Sequence, residues 1–268
     1  MKIIYQDILP EQIPGITTEY TLLWSLLEGH AKKVVRPDTE IKLSHVDKMA
    51  KYETLPFFER LNDLQIVSKI IDSEREGFDA AVISCINDPG LQEARGVVDI
   101  SVTAGFESAL IIAQMLGKHF ACVAISPRVL PVARHNLAVY GFEEKFIKNR
   151  PIRYFDLDFK YFMEFIKGKD DRLLEEFSKV ALTCIEDGAD VIIPAHGYLG
   201  PAFSMRGVNT VGETKVPIVD GNAAALKLAE VMVELRRVIG LTKSKAPISP
   251  YRTPPREVVD RFRKDFGI

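Results

Sequence analysis

Two short apolar runs, DAAVISC at 79–85 and ADVIIPA at 189–195, constrain this chain more than any other feature. Each is continuous rather than alternating, which is the pattern of a strand buried on both faces. Each ends in a polar, turn-forming cluster. Each is also introduced in the same way, by an acid, a glycine, one further residue and an aspartate. Gly77 answers to Gly188, Asp79 to Asp190 and Cys85 to His196, always 111 residues apart. Agreement between this repeat and the order of elements around it makes an internal duplication the reading to build on.

The surrounding pattern alternates in the same sense. Strand-like runs fall at 2–5, 40–46, 79–85, 100–102, 119–126, 152–158, 189–195 and 216–221. Segments with apolar residues at three- and four-residue spacing fall between them, at 19–35, 63–76, 105–117, 128–141, 171–187 and 222–240. Gly117 and Gly240 stand where helices stop. Alternating β and α with buried strands implies parallel, doubly wound α/β sheets. The expected fold class is two similar Rossmann- or flavodoxin-like domains related by a pseudo-two-fold axis, with the active site in the cleft between them. Residues 1–99 plus 216–268 are assigned to the first domain and 100–215 to the second. The Pro- and Lys/Arg-rich tail, 241–268, reads as a solvated extension, with an arm on a neighbouring subunit as the alternative.

Composition excludes several function classes. A formal net charge of -2 over 268 residues gives no basic excess for nucleic acid. No apolar run approaches the ~18 residues of a membrane span, and the N-terminus lacks the pattern of a signal peptide. A cytoplasmic protein is expected. Three cysteines do not make a disulfide framework. No zinc-type spacing suggests a structural metal, and no phosphate loop or dinucleotide fingerprint is present.

Ligands of parallel sheets bind beyond the carboxyl ends of the strands, and Cys85 and His196 each sit just past such an end. A cysteine there reads first as a small core residue, and a lone histidine as a hydrogen-bonded turn residue. Their shared repeat position raises both to candidate catalytic residues. Facing each other across a cleft, they suit proton removal from one face of a carbon and delivery to the other. Gly90, Gly197 and Gly200 permit close backbone approach. Asn87, Thr103, Ser126 and Tyr198 offer side-chain donors, although Asn87, Asp88 and Gly90 also suit a turn, and Thr103 and Ser126 suit helix caps. Cys122 and Cys184 read as core.

These segments resemble the aspartate/glutamate/hydantoin racemase superfamily, and its hydantoin racemase branch in particular. AVISCINDPGLQEAR is similar to that branch's first cysteine segment. VDISVTAGFESALIIAQMLGKHFACVAIS, YGF at 140–142 and VPIVDGNAAALKLAEVMV at 216–233 resemble later ones. The resemblance implies two α/β domains, a base on each wall of the cleft and no cofactor. It implies a small substrate with a carboxylate or carbonyl, and a homo-oligomer. Cys85 matches the first catalytic cysteine, Asn87 and Asp88 share its loop, and Thr103, Ser126, Gly197 and Tyr198 fall in substrate-contacting loops. Two departures stand out. PAHGY places His196 where a second cysteine is usual. YQDILPEQIPG places Gln6, with Asp7 beside it, where an Asn-Pro-Asn-Thr-like signature is usual. The function expected is a cofactor-independent racemase or epimerase. A one-cysteine decarboxylase, a cis–trans isomerase or a non-catalytic ligand-binding homologue are the alternatives.

Overall fold

A computed structural model describes residues 1–11, 17–49 and 55–268. Its strands form two parallel sheets. The first contains β1 (Lys2–Pro10), β2 (Glu40–Val46), β3 (Ala80–Ile83) and β4 (Ser101–Ala104), in the order β2-β1-β3-β4. The second contains β5 (Phe120–Ala124), β6 (Ile152–Tyr154) and β7 (Val191–Pro194), in the order β6-β5-β7. Residues 216–219 run beside β7 without becoming a full strand: Ile218 bridges Ile192 in parallel and the Val219 amide donates to the Ile192 carbonyl. The second order therefore repeats the first.

The duplicated motif is a piece of structural carpentry in both halves. Gly77 and Gly188 both take the left-handed conformation, with φ of 83° and 96°, which turns the chain out of the preceding helix. The next aspartate then clamps the start of the central strand. Asp79 accepts the Lys2 amide at 2.8 Å, and Asp190 accepts the His119 amide at 2.8 Å.

Helices pack on both faces of each sheet. They include α1 (Thr17–Val34), α2 (Pro56–Arg75), α3 (Leu91–Val97), α4 (Gly105–Leu116), α5 (Leu130–Tyr140), α6 (Phe159–Ile166), α7 (Arg172–Glu186), α8 (Leu199–Met205), α9 (Gly221–Ile239) and α10 (Arg256–Phe266). The spacing of Leu173, Phe177, Ala181 and Cys184 puts one face of α7 in the core. Cys122 and Cys184 are both fully buried there, as their surroundings in the sequence suggest.

The two halves exchange helices. α4 follows a strand of the first sheet, yet its Phe106, Ala109, Leu110 and Ala113 pack with Phe120, Cys122 and Val191 of the second. α9 follows the edge of the second sheet, yet its Ala225, Leu226, Ala229 and Val233 pack with Ile3, Tyr5, Ala80 and Val82 of the first. A division at residue 99 would separate β4 from β3, with which it pairs from Ala80↔Ser101 to Ile83↔Ala104. The exchange places that strand in the first sheet and the helix after it against the second. The two helices meet at their first residues: a β-carbon on Gly221 would stand 2.5 Å from the Gly105 carbonyl oxygen.

The tail has no buried residue, as expected of a solvated extension, but it lies along the first half. Its basic side chains find acids on the first half. Arg263 donates to Asp72 at 2.8 Å, Arg256 lies 3.5 Å from Glu74, and Thr253 bonds Asp99 at 2.9 Å. No helix among the described residues is long and apolar enough to cross a membrane.

Gly221→Ala forces two backbones apart and is expected to cost about 1–3 kcal/mol. A lower urea midpoint at unchanged m-value checks this.

Candidate active site

The two repeat loops meet backbone to backbone. A β-carbon on Gly197 would lie 2.7 Å from the Ser84 carbonyl oxygen and 3.5 Å from the Cys85 Cα. Asn222, the second residue of α9, ties them together. Its Nδ2 donates to the Gly197 carbonyl at 2.7 Å and to the Ser84 carbonyl at 3.4 Å. A side chain on Gly105 would run into Asn222 Oδ1 at 3.1 Å. The Asp220 carboxylate caps α9 through the amides of Asn222 and Ala223, both at 3.0 Å. It also accepts from Ser204 at 2.6 Å and lies 2.7 Å from His30 Nε2, which is fully buried. Burial pushes the Asp220 carboxyl up, but the bond and charge of His30, with Ser204 and the Ala223 amide, outweigh it and hold it below the usual range.

From this shared base the two candidate catalytic side chains enter different surroundings. Cys85 is buried and packs with Ile4, Ile66 and Leu91. Its sulfur accepts the Asn87 amide at 3.4 Å. Burial pushes the thiol up to about 12, with Asp88 and Asp7 adding to the rise. His196 packs its ring against Phe162 and Tyr198, with centroids 5.8 Å and 5.7 Å away. Burial lowers its pKa to about 4, so the ring is neutral near pH 7. Its Nδ1 accepts the Tyr198 amide at 3.3 Å, which leaves the proton of the neutral ring on Nε2. An imidazole held this way offers Nε2–H as a hydrogen-bond donor.

Tyr198 links the two halves through its hydroxyl, which lies 3.0 Å from each oxygen of Asp7. Asp7 is fully buried and also receives the Ile8 amide at 2.6 Å and the Ser84 hydroxyl at 3.4 Å. Burial raises its carboxyl to about 7 despite these donors, which pull it down. Asp7 is thus a carboxyl that can gain or lose a proton near neutrality, a few bonds from both loops. Its burial and partners come from residues distant in the chain, and the only local signal was its place beside Gln6.

The other predicted residues divide between the site and its scaffold. Gln6 is fully buried, donates to the Asp7 carbonyl at 2.7 Å and has no donor to its Oε1 among the described residues. Asn87 accepts the Asn136 side-chain amide at its carbonyl, at 2.8 Å, and its side-chain Oδ1 has no donor among the described residues. Asp88 instead holds the scaffold. Its two oxygens accept the Phe106 and Glu107 amides at the start of α4, each at 2.7 Å, and Tyr140 donates to it at 2.9 Å. Thr103 donates its hydroxyl proton to the Ala225 carbonyl at 2.9 Å, fastening β4 to α9. Ser126 accepts the Arg128 amide at 3.3 Å and caps a short 3₁₀ turn. Both were foreseen as caps or substrate contacts, and their described bonds are to the scaffold.

The profile of the Asp/Glu/Hydantoin racemase family matches residues 21–229. The chain belongs to that family. It is an isomerase of the racemase type, acting on a small molecule. It is similar to a hydantoin racemase of Pseudomonas sp. (strain NS671), with 28% identity over 247 residues that cover 90% of each chain. Its fold is similar to allantoin racemase from Klebsiella pneumoniae, with a TM-score of 0.77 and 24% identity, covering 96% of this chain and 94% of that one. Allantoin racemase from Pseudomonas fluorescens gives a TM-score of 0.73, again at 24% identity, over 95% and 97% of the two chains. The racemase carries its duplicated strand ends, Cys85 and His196, well inside the matched region.

The hydroxyl of Tyr198 lowers the pKa of Asp7, so Tyr198→Phe is expected to move it up from about 7. Titration of the buried carboxyl by difference infrared spectroscopy in the two proteins checks the direction.

Proposed function

We propose that this racemase inverts a carbon next to a carbonyl in a cyclic ureide, the class to which the hydantoins of its relatives' names belong, using one thiol. The observation that carries the proposal is the pairing of a neutral buried thiol at Cys85 with a neutral imidazole at His196 on abutting loops. In the resting protein the α-proton passes to the Tyr198 oxygen as the phenolic proton moves onto the Asp7 carboxylate. His196 Nε2–H donates to the carbonyl oxygen, where the charge of the enolate collects. Cys85 delivers its S–H proton to the opposite face and is left as a thiolate. The protein then holds a carboxylic acid and a thiolate, and it runs the same steps in reverse on the other enantiomer. This is the role of a neutral electrophilic imidazole, not of a second base.

Because the equilibrium constant of a racemisation is one, kcat/KM has the same pH profile for both enantiomers. Its acid limb is expected near 7, where Asp7 titrates, with Asp63 and Asp88 in the same range. An acid limb near 4 would return the role of base to His196.

Exchange of the α-hydrogen in D₂O separates the residues. Cys85→Ser is expected to lose about 10²–10⁴-fold in racemisation. His196→Gln keeps an N–H donor and is expected to retain about 10²-fold more activity than His196→Leu. Equal losses in the two His196 variants would sink the donor role. Racemisation that does not depend on Cys85 would sink the proposal as a whole, whereas exchange of one enantiomer alone is expected to persist through Tyr198 and Asp7.

A further inference from the structure

The small space beside Cys85 shares a wall with a much larger cavity. A crevice of about 30 Å³ lies against Cys85, bounded by Ile8, Met49, Asn62, Ile66 and four further residues that also face a second space. Those four, Glu59, Asp63, Asn87 and Pro89, form one wall of a cavity of about 580 Å³. The cavity bridges the two halves of the molecule. α2 supplies Arg60 and α3 supplies Glu93 on one side, and α5 supplies Val132, His135 and Asn136 on the other.

Two acceptors in the shared wall have no donor among the described residues, Asp63 Oδ1 and Asn87 Oδ1. Asp63 is 4% exposed, and its other oxygen takes the Arg60 guanidinium at 2.9 Å. Burial raises the Asp63 carboxyl to about 7 even though the Arg60 charge pulls it down. A buried acceptor left unpaired costs free energy, and native proteins leave few of them. Two in one wall, between a cavity and the candidate catalytic thiol, call for an occupant that brings N–H groups. Glu59 and Glu93 on the same cavity make it unfavourable for a carboxylate.

We propose that this cavity holds the substituent of the substrate, and that Asp63 and Asn87 select substituents bearing N–H donors over alkyl groups of the same size. The proposal rests on the reading of Cys85 as the group at the reacting carbon. The donors are amide or ammonium groups, which share the chemistry the wall asks for.

The test uses three hydantoins, made from glutamine, lysine and homoleucine, with racemisation followed by polarimetry and binding by calorimetry. The wild-type protein is expected to favour the glutamine or lysine compound over the homoleucine compound by on the order of a hundredfold. Asp63→Leu is expected to bring that ratio close to one. Asp63→Asn, which is isosteric and guards against a folding defect, is expected to erase a preference for lysine and to spare one for glutamine. Equal binding of all three compounds by the wild type, or a preference that survives both substitutions, would overturn the proposal. Selective binding with no turnover of any of the three would support the cavity's role and count against the catalytic reading instead.

Discussion

The contact on which the site depends is the crossing of α4 and α9 at Gly105 and Gly221. No side chain fits between them, so the two helix starts approach to backbone distance. That approach delivers Asn222 to the carbonyls of Ser84 and Gly197, the residues beside Cys85 and His196. The same end of α9 is fixed by Asp220, and the same end of α4 by Asp88. Each helix start thus receives an acceptor where its amides have no partner of their own. The strand ends that carry the candidate chemistry are therefore held by backbone and amide contacts rather than by the reactive groups themselves.

Burial sets the protonation states that the site starts from. It moves the thiol and the imidazole in opposite directions, to about 12 and about 4, and both changes favour the neutral form. A carboxyl moved to about 7 by the same cause lies close by, joined to the second loop by Tyr198. A site of neutral groups suits a reaction whose intermediate is an anion, since the enolate meets donors rather than standing charges of its own sign. In the mechanism proposed above, the one charge that appears alternates between Asp7 and the sulfur.

Much of this was legible in the chain. The glycine and aspartate of the repeat do in the fold the same two tasks in each half, and β2 matches its alternating run residue for residue. Short or aromatic segments were harder. α3 has seven residues and α6 is a run of aromatics, FKYFMEFI, that lies close after an expected strand of which only Ile152–Tyr154 forms. α2 begins at Pro56, ahead of the expected start, although a proline in a first turn is a local signal for it. The candidate site was legible in part. Cys85 and His196 became candidates through their repeat position, but the engagement of Asp88 and Thr103 with helices elsewhere in the chain carried no local signal. Nor did the proton affinity of Asp7, because burial is a property of the packed molecule and not of the segment.

The exchange of helices between the halves has a further consequence. Neither sheet can bury its apolar face with helices drawn from its own half, so a duplicated unit cut out at the repeat boundary would expose one flank of its core. The chain should therefore unfold as one cooperative body despite its two sheets. It also means that the duplication has become obligate while its functional position has not. What joins the halves is glycine, asparagine and aspartate at helix starts, so the side chain at position 196 is not itself part of that join. A lineage built on this frame can change the residue there, and with it the chemistry, without loosening the join.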